Sequence, residues 1–129
     1  MDQSELATIP MSVNAPVEVR LFFSEILDKV PSMSSVLLAE IRSWGELFPY
    51  YLLARLTERA NELAISGHGA DVEAFLGILE VWFRSGDEDD YIPNLIAVEL
   101  LETLELDDDF ASLRALVAKY PTLSSALAS

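Results

Sequence analysis

The chain has no cysteine, one histidine and only five glycines in 129 residues. Without cysteine there can be no disulfide framework and no thiolate metal site, which suits a reducing compartment. The lone histidine, His68, lies between Gly67 and Gly69 in an expected loop and has no ligand companions nearby in the sequence. The glycines form no phosphate-cradling loop, and no serine or threonine is read as having a histidine partner. No stretch approaches the roughly 20 uninterrupted apolar residues of a membrane span. The start, Met1-Asp2-Gln3-Ser4-Glu5, is acidic and lacks the basic opening and apolar core of a signal peptide. These absences predict a soluble, cytoplasmic protein that is not an enzyme, with no catalytic residues, no cofactor and no metal.

Positive charge is also scarce. Eight Lys and Arg face 22 Asp and Glu, for a net charge of −14. Such a field repels nucleic acid and anionic membrane and attracts basic proteins, while self-repulsion does nothing for the compact state. What the chain does have is apolar residues, 51% of the total, so a core is expected and disorder is not. A chain of this length fits one domain, able to bury roughly two-thirds of its unfolded surface.

The apolar residues recur at helical spacing and nowhere alternate as a strand would. Residues 1–15 show no period and are expected to form a loose arm, with residues 16–129 a single helical domain. Pro16 suits a first helical turn, followed by Val17, Leu21, Phe22, Ile26 and Leu27 until Pro31 stops the helix. A second helix, capped by Ser32 or Ser34, carries Val36, Leu37 and Ile41 to about Trp44, and Gly45 ends it. The third begins near Phe48, with Leu52, Leu56, Ala60 and Leu63 on one side and Arg55, Glu58, Arg59 and Glu62 on the other. Adjacent Tyr50 and Tyr51 cannot both face inward.

After the break at Ser66-Gly67-His68-Gly69, a fourth helix places Val72, Phe75, Leu76, Leu79, Trp82 and Phe83 inward and Glu73, Gly77, Glu80 and Arg84 outward. Ser85-Gly86 closes it in the glycine-terminated manner. The fifth has Ile92, Ile96, Leu100, Leu101 and Leu104 as its main apolar side. Leu95 and Val98 widen that side near the start, as in a helix packed on more than one face. Asp107 to Asp109 lead a sixth helix with Phe110, Leu113, Leu116, Val117 and Tyr120 inward, and Pro121 divides it from a short turn over Thr122 to Leu127. The expected class is all-α: six or seven short helices in an irregular bundle or a short armadillo- or HEAT-like stack, although no unit repeats at a fixed period.

Thirteen of the 22 acids follow Ser66, against three bases, and they cluster in Asp87-Glu88-Asp89-Asp90, in Asp107-Asp108-Asp109 and in Glu99, Glu102 and Glu105. Neither run satisfies a calcium loop. Counted from Asp87, Ile92 stands where glycine is needed and Val98 where the bidentate glutamate is needed; counted from Asp107, that last position is Ala118. Helix capping explains one or two acids per helix, each contributing roughly 0.3–1 kcal/mol. Four and three in a row exceed that need. Glu99, Glu102 and Glu105 continue the theme at three-residue intervals, away from Leu100, Leu101 and Leu104. A solvated face is the plain reading; a partner-binding face made of Asp87, Glu88, Asp89, Asp90, Glu99, Glu102 and Glu105, with Tyr91 as an apolar anchor, is the functional one.

The order Val36-Leu37-Leu38-Ala39-Glu40-Ile41, Phe48-Pro49-Tyr50-Tyr51, the break Ser85-Gly86-Asp87 and Ile92-Pro93-Asn94-Leu95-Ile96-Ala97-Val98-Glu99-Leu100-Leu101-Glu102 resembles a known group. It is similar to the small acidic all-helical immunity proteins of bacterial polymorphic-toxin and contact-dependent inhibition systems, over roughly residues 33–120. The resemblance implies a protein that binds and blocks a cognate toxin with a basic surface, and no catalytic signature. Two other readings use the same acids: a nucleic-acid mimic that occupies a DNA- or RNA-binding protein, and a non-enzymatic helical scaffold kept soluble by its charge.

Overall fold

A computed structural model describes residues 17–44, 48–86 and 90–128. The expectations for the N-terminal arm, for Pro16, for the stop at Gly45 and for Asp87, Glu88 and Asp89 fall outside the described residues. The elements are α1 (Val17–Lys29), α2 (Pro31–Trp44), α3 (Pro49–Ile65), α4 (Gly69–Ser85), α5 (Tyr91–Ile96), a π-helical segment (Ala97–Leu101), α6 (Glu102–Leu106), a 3-10 turn (Asp108–Phe110), α7 (Ala111–Val117) and α8 (Pro121–Ala128). Helix α5, the π segment and α6 run on as one rod, and the 3-10 turn leads straight into α7. The described residues thus form seven rods, and none of them is in a strand.

Three of the rods open with proline. Pro31, Pro49 and Pro121 are the first residues of α2, α3 and α8, where a fixed φ favours the helix and the missing N–H costs nothing. Pro31 therefore starts α2 as well as ending α1, and Val30 alone forms the corner. Ser32 and Ser34 lie inside α2 and do not cap it; Ser34 Oγ donates to the Pro31 carbonyl at 2.7 Å. At the end of α3, Gly67 takes φ +87° and the His68 N–H reaches the Leu63 carbonyl at 2.8 Å, the six-to-one bond of a Schellman ending.

Helices α3 and α4 form the centre. Against α3 lie α2, α4, α5, the π segment and α7; against α4 lie α1, α3, α5, α7 and α8. Since α1 touches α4 and α5 as well as its chain neighbour α2, the fold is an irregular bundle rather than a stack whose units touch only adjacent units. Every rod supplies the core, from Phe22, Phe23 and Ile26 through Leu53, Leu56, Phe75 and Leu76 to Ile96, Leu100, Leu113 and Leu123, all fully or almost fully buried. Phe22 meets Phe23 and Trp82 edge-to-face at centroid distances of 5.1 and 5.6 Å, and Trp82 Nε1 donates to Glu25 Oε1 at 3.2 Å.

Three further expectations need correction. The inward stripe of α1 is Val19, Phe22, Phe23, Ile26 and Leu27, a single i, i+3, i+4, i+7, i+8 face that packs on α2 and α4, while Val17 and Leu21 fall on the opposite side and are exposed. Glu80, assigned to the outer face of α4, is only 6% exposed. Its two carboxylate oxygens accept the backbone N–H groups of Thr122 and Leu123 at 3.0 and 2.9 Å, capping the first turn of α8 from another helix. Gly86 is not a left-handed terminator, since its φ is −116°. Glycine is required there because a Cβ would lie 2.8 Å from Pro93 Cγ.

A candidate partner-binding surface

The rod from Tyr91 to Leu106 positions the candidate residues. It starts after Asp90, whose extended backbone turns the chain into α5. Its midsection widens: the Glu102 N–H bonds to the Ala97 carbonyl, five residues back instead of four. That extra residue per turn spreads the three-residue spacing of Glu99, Glu102 and Glu105. Glu102 and Glu105 are exposed and border one groove with Asn94, Ala97 and Leu101, across from Phe83 and Ala126. Its volume is about 320 Å³. Glu99 lies outside that groove and is half-buried. Burial holds its carboxyl above the usual glutamate range, and the neighbouring Glu102 charge pushes the same way. The three acids are thus two rim residues and one partly desolvated neighbour.

Tyr91 is half-buried against the core and meets Tyr50 edge-to-face at 5.8 Å. Burial raises its phenol, with a smaller push from Tyr50. The Tyr50 hydroxyl also accepts a hydrogen bond from Asn94 Nδ2 at 2.7 Å. Tyr50 is the inward member of the tyrosine pair, and Tyr51 is 45% exposed. Together with Phe48 and Pro49 they line an open, almost wholly apolar hollow of about 430 Å³. The hollow arises because Phe48 is extended and Pro49 starts α3 at once, which fans three aromatic rings around one helix start.

Asp90 is exposed and shares a smaller hollow, about 150 Å³, with Glu18 of α1 and Trp82. The structure thereby brings together Asp90, Tyr91, Glu102 and Glu105 with residues that sequence reasoning missed: Glu18, Phe48, Tyr50, Tyr51 and Asn94. Tyr50 and Tyr51 carried a partial signal, since one of two adjacent tyrosines had to be exposed. Nothing in the spacing linked Asn94 to Tyr50, 44 residues earlier.

The second acidic run has a local role. Asp107 Oδ1 accepts the Asp109 N–H at 2.9 Å, and the buried amide of Asn61 receives the Leu113 N–H while donating to the Asp109 carbonyl. On α3, Arg55 pairs with Glu58 and Glu40, and Arg59 with Glu62. By contrast, no described cation comes within ion-pair distance of Glu102 or Glu105. His68 does have a serine neighbour: its Nδ1 lies 3.0 Å from Ser66 Oγ, contrary to expectation, because the turn at Gly67 folds the two together. Both are exposed, and Ser66 Oγ also contacts the Leu63 carbonyl, as a turn-bracing pair would. Among the described residues, no three His, Asp or Glu side chains converge as a bound metal ion would need. Nor, among the described residues, is any helix long and apolar enough to cross a membrane.

The fold and this surface define a small all-helical protein with an open aromatic hollow joined through Asn94 to a groove whose acids no described cation pairs. Residues 23–126 match the family described as Domain of unknown function (DUF7674), and the chain belongs to that family. No curated protein and no solved structure matches it.

Proposed function

We propose that this chain is an immunity protein that binds a cognate bacterial toxin and blocks it by occlusion, without catalysis of its own. The observation that carries the reading is that Asn94 borders the groove holding Glu102 and Glu105, which no described cation pairs, and also bonds Tyr50 of the aromatic hollow. Exposed aromatic anchors and a charged rim are the parts of a protein-binding surface. The charge of −14 would steer a basic partner, raising the association rate mainly at low salt, since screening shortens its reach to about 10 Å near 0.1 M. The resemblance to immunity proteins supplies the class of partner, and the cytoplasm, where such a toxin acts, is the proposed compartment.

The test is co-expression with the protein encoded by the adjacent upstream gene in a bacterial host. Growth should be arrested by that protein alone and restored by this chain, and the two should form a complex in calorimetry. Replacing Asp90, Glu102 and Glu105 by amides should slow association and flatten its salt dependence. Arrest that persists despite full expression of this chain would refute the toxin reading.

A further inference from the structure

The geometry points to a specific partner chemistry: one segment of a basic protein that sets a large apolar side chain into the hollow and a neighbouring lysine or arginine into the groove. It rests on the partner-binding reading above and deepens it. The hollow at Phe48, Pro49, Tyr50 and Tyr51 is open on one side, so a small molecule there would stay half-exposed, whereas free ligands usually need most of their surface covered. A side chain projecting from a protein brings its own cover. Phe48 and Tyr51 remain 40% and 45% exposed, so apolar surface is still available to be buried.

The groove sets the charge of the occupant. Phe83 and Ala97, both half-buried, offer apolar surface on which the methylene stem of a lysine or arginine can lie, and Glu102 and Glu105 stand at the rim where its head would emerge. The two sites are one surface, because Asn94 borders the groove while its amide touches the Tyr50 hydroxyl that helps form the hollow. A second copy of this chain is a poor occupant, since two bodies of charge −14 repel.

The experiment selects random short peptides displayed against the full chain at low salt. Enriched peptides should pair a large apolar residue with a nearby Lys or Arg. Tyr51→Ala and, separately, Phe48→Ser should weaken them roughly tenfold or more at every salt concentration. The double change Glu102→Gln with Glu105→Gln should weaken them at low salt and converge with the unmodified chain at high salt. Circular dichroism controls for folding, and the exposure of all four side chains keeps the core out of the measurement. Peptides without cations, peptides that bind the variants as tightly as the original, or no enrichment would each overturn the inference. Toxin protection is scored apart. Protection that survives Tyr51→Ala combined with both glutamine changes sinks this inference alone; absent protection with the peptide preference intact sinks the toxin reading alone.

Discussion

Removing the Glu80 carboxylate should loosen the last helix first and then the whole molecule. In Glu80→Ala the N–H groups of Thr122 and Leu123 lose acceptors at 3.0 and 2.9 Å in a site where the glutamate was 6% exposed. Each hydrogen bond to a charged group contributes about 1.5–3 kcal/mol. Part of that is returned, because a carboxylate no longer has to be stripped of water and one negative charge leaves an overcharged chain. A net loss of roughly 2–3 kcal/mol remains after that offset. For 129 residues the entropy of unfolding, about 2.1 cal/mol/K per residue, makes each kcal/mol worth roughly 3–4 °C, so Tm should fall by roughly 7–11 °C. Glu80→Gln keeps one acceptor but turns an amide N–H₂ toward the other backbone N–H, and should lose at least half as much. Thermal melts followed by circular dichroism give the total; amide exchange at Thr122 and Leu123 locates it. Both variants melting within a degree of the parent, with unchanged exchange at those two amides, would show that α8 does not depend on this cap.

Glu99→Gln should raise Tm at neutral pH. The native carboxyl holds its proton more tightly than the unfolded one, so the stability tied to Glu99 is fully present below about pH 4.5, its ordinary value, and is lost as pH rises through the raised native value. The gain in the amide variant should therefore vanish below pH 4.5, and a gain of equal size at every pH would contradict the burial argument. Gly86→Ala should destabilise by roughly 1–3 kcal/mol through overpacking against Pro93, 2.8 Å from the new methyl. Adding Pro93→Ala should recover part of that loss in urea unfolding; strict additivity of the two changes would refute the steric cause.

Helix type and rough position were legible because each rod buries a stripe at helical period, as Leu52, Leu56, Ala60 and Leu63 do on α3. Prolines reinforced the boundaries, although Pro31 and Pro121, which look in sequence like stops alone, also start the helices that follow them. What sequence could not provide was the partner across each interface. Glu80 sits at a position that period alone assigns to solvent, and only the arrival of α8 makes it interior. Gly86 likewise looks like a terminator until Pro93 is seen against it. On the candidate surface, the acids were visible as composition and their charge as a sum. Their sorting into rim and half-buried positions depends on a widened turn that no periodicity marks, since Glu99, Glu102 and Glu105 fit an unbroken helix equally well.

That widened turn bears on how the chain tolerates changes in length. A residue deleted from an ordinary helix swings everything beyond it by about 100°. Between Ala97 and Leu101 one residue is already surplus to the α-helical ladder. Losing it there heals the ladder and leaves Ile92 and Ile96 on one side, and Leu104 on the other, facing the neighbours they have now. The middle of this rod is therefore the one interior stretch of it where the chain can shorten by a residue while the two ends keep their seats.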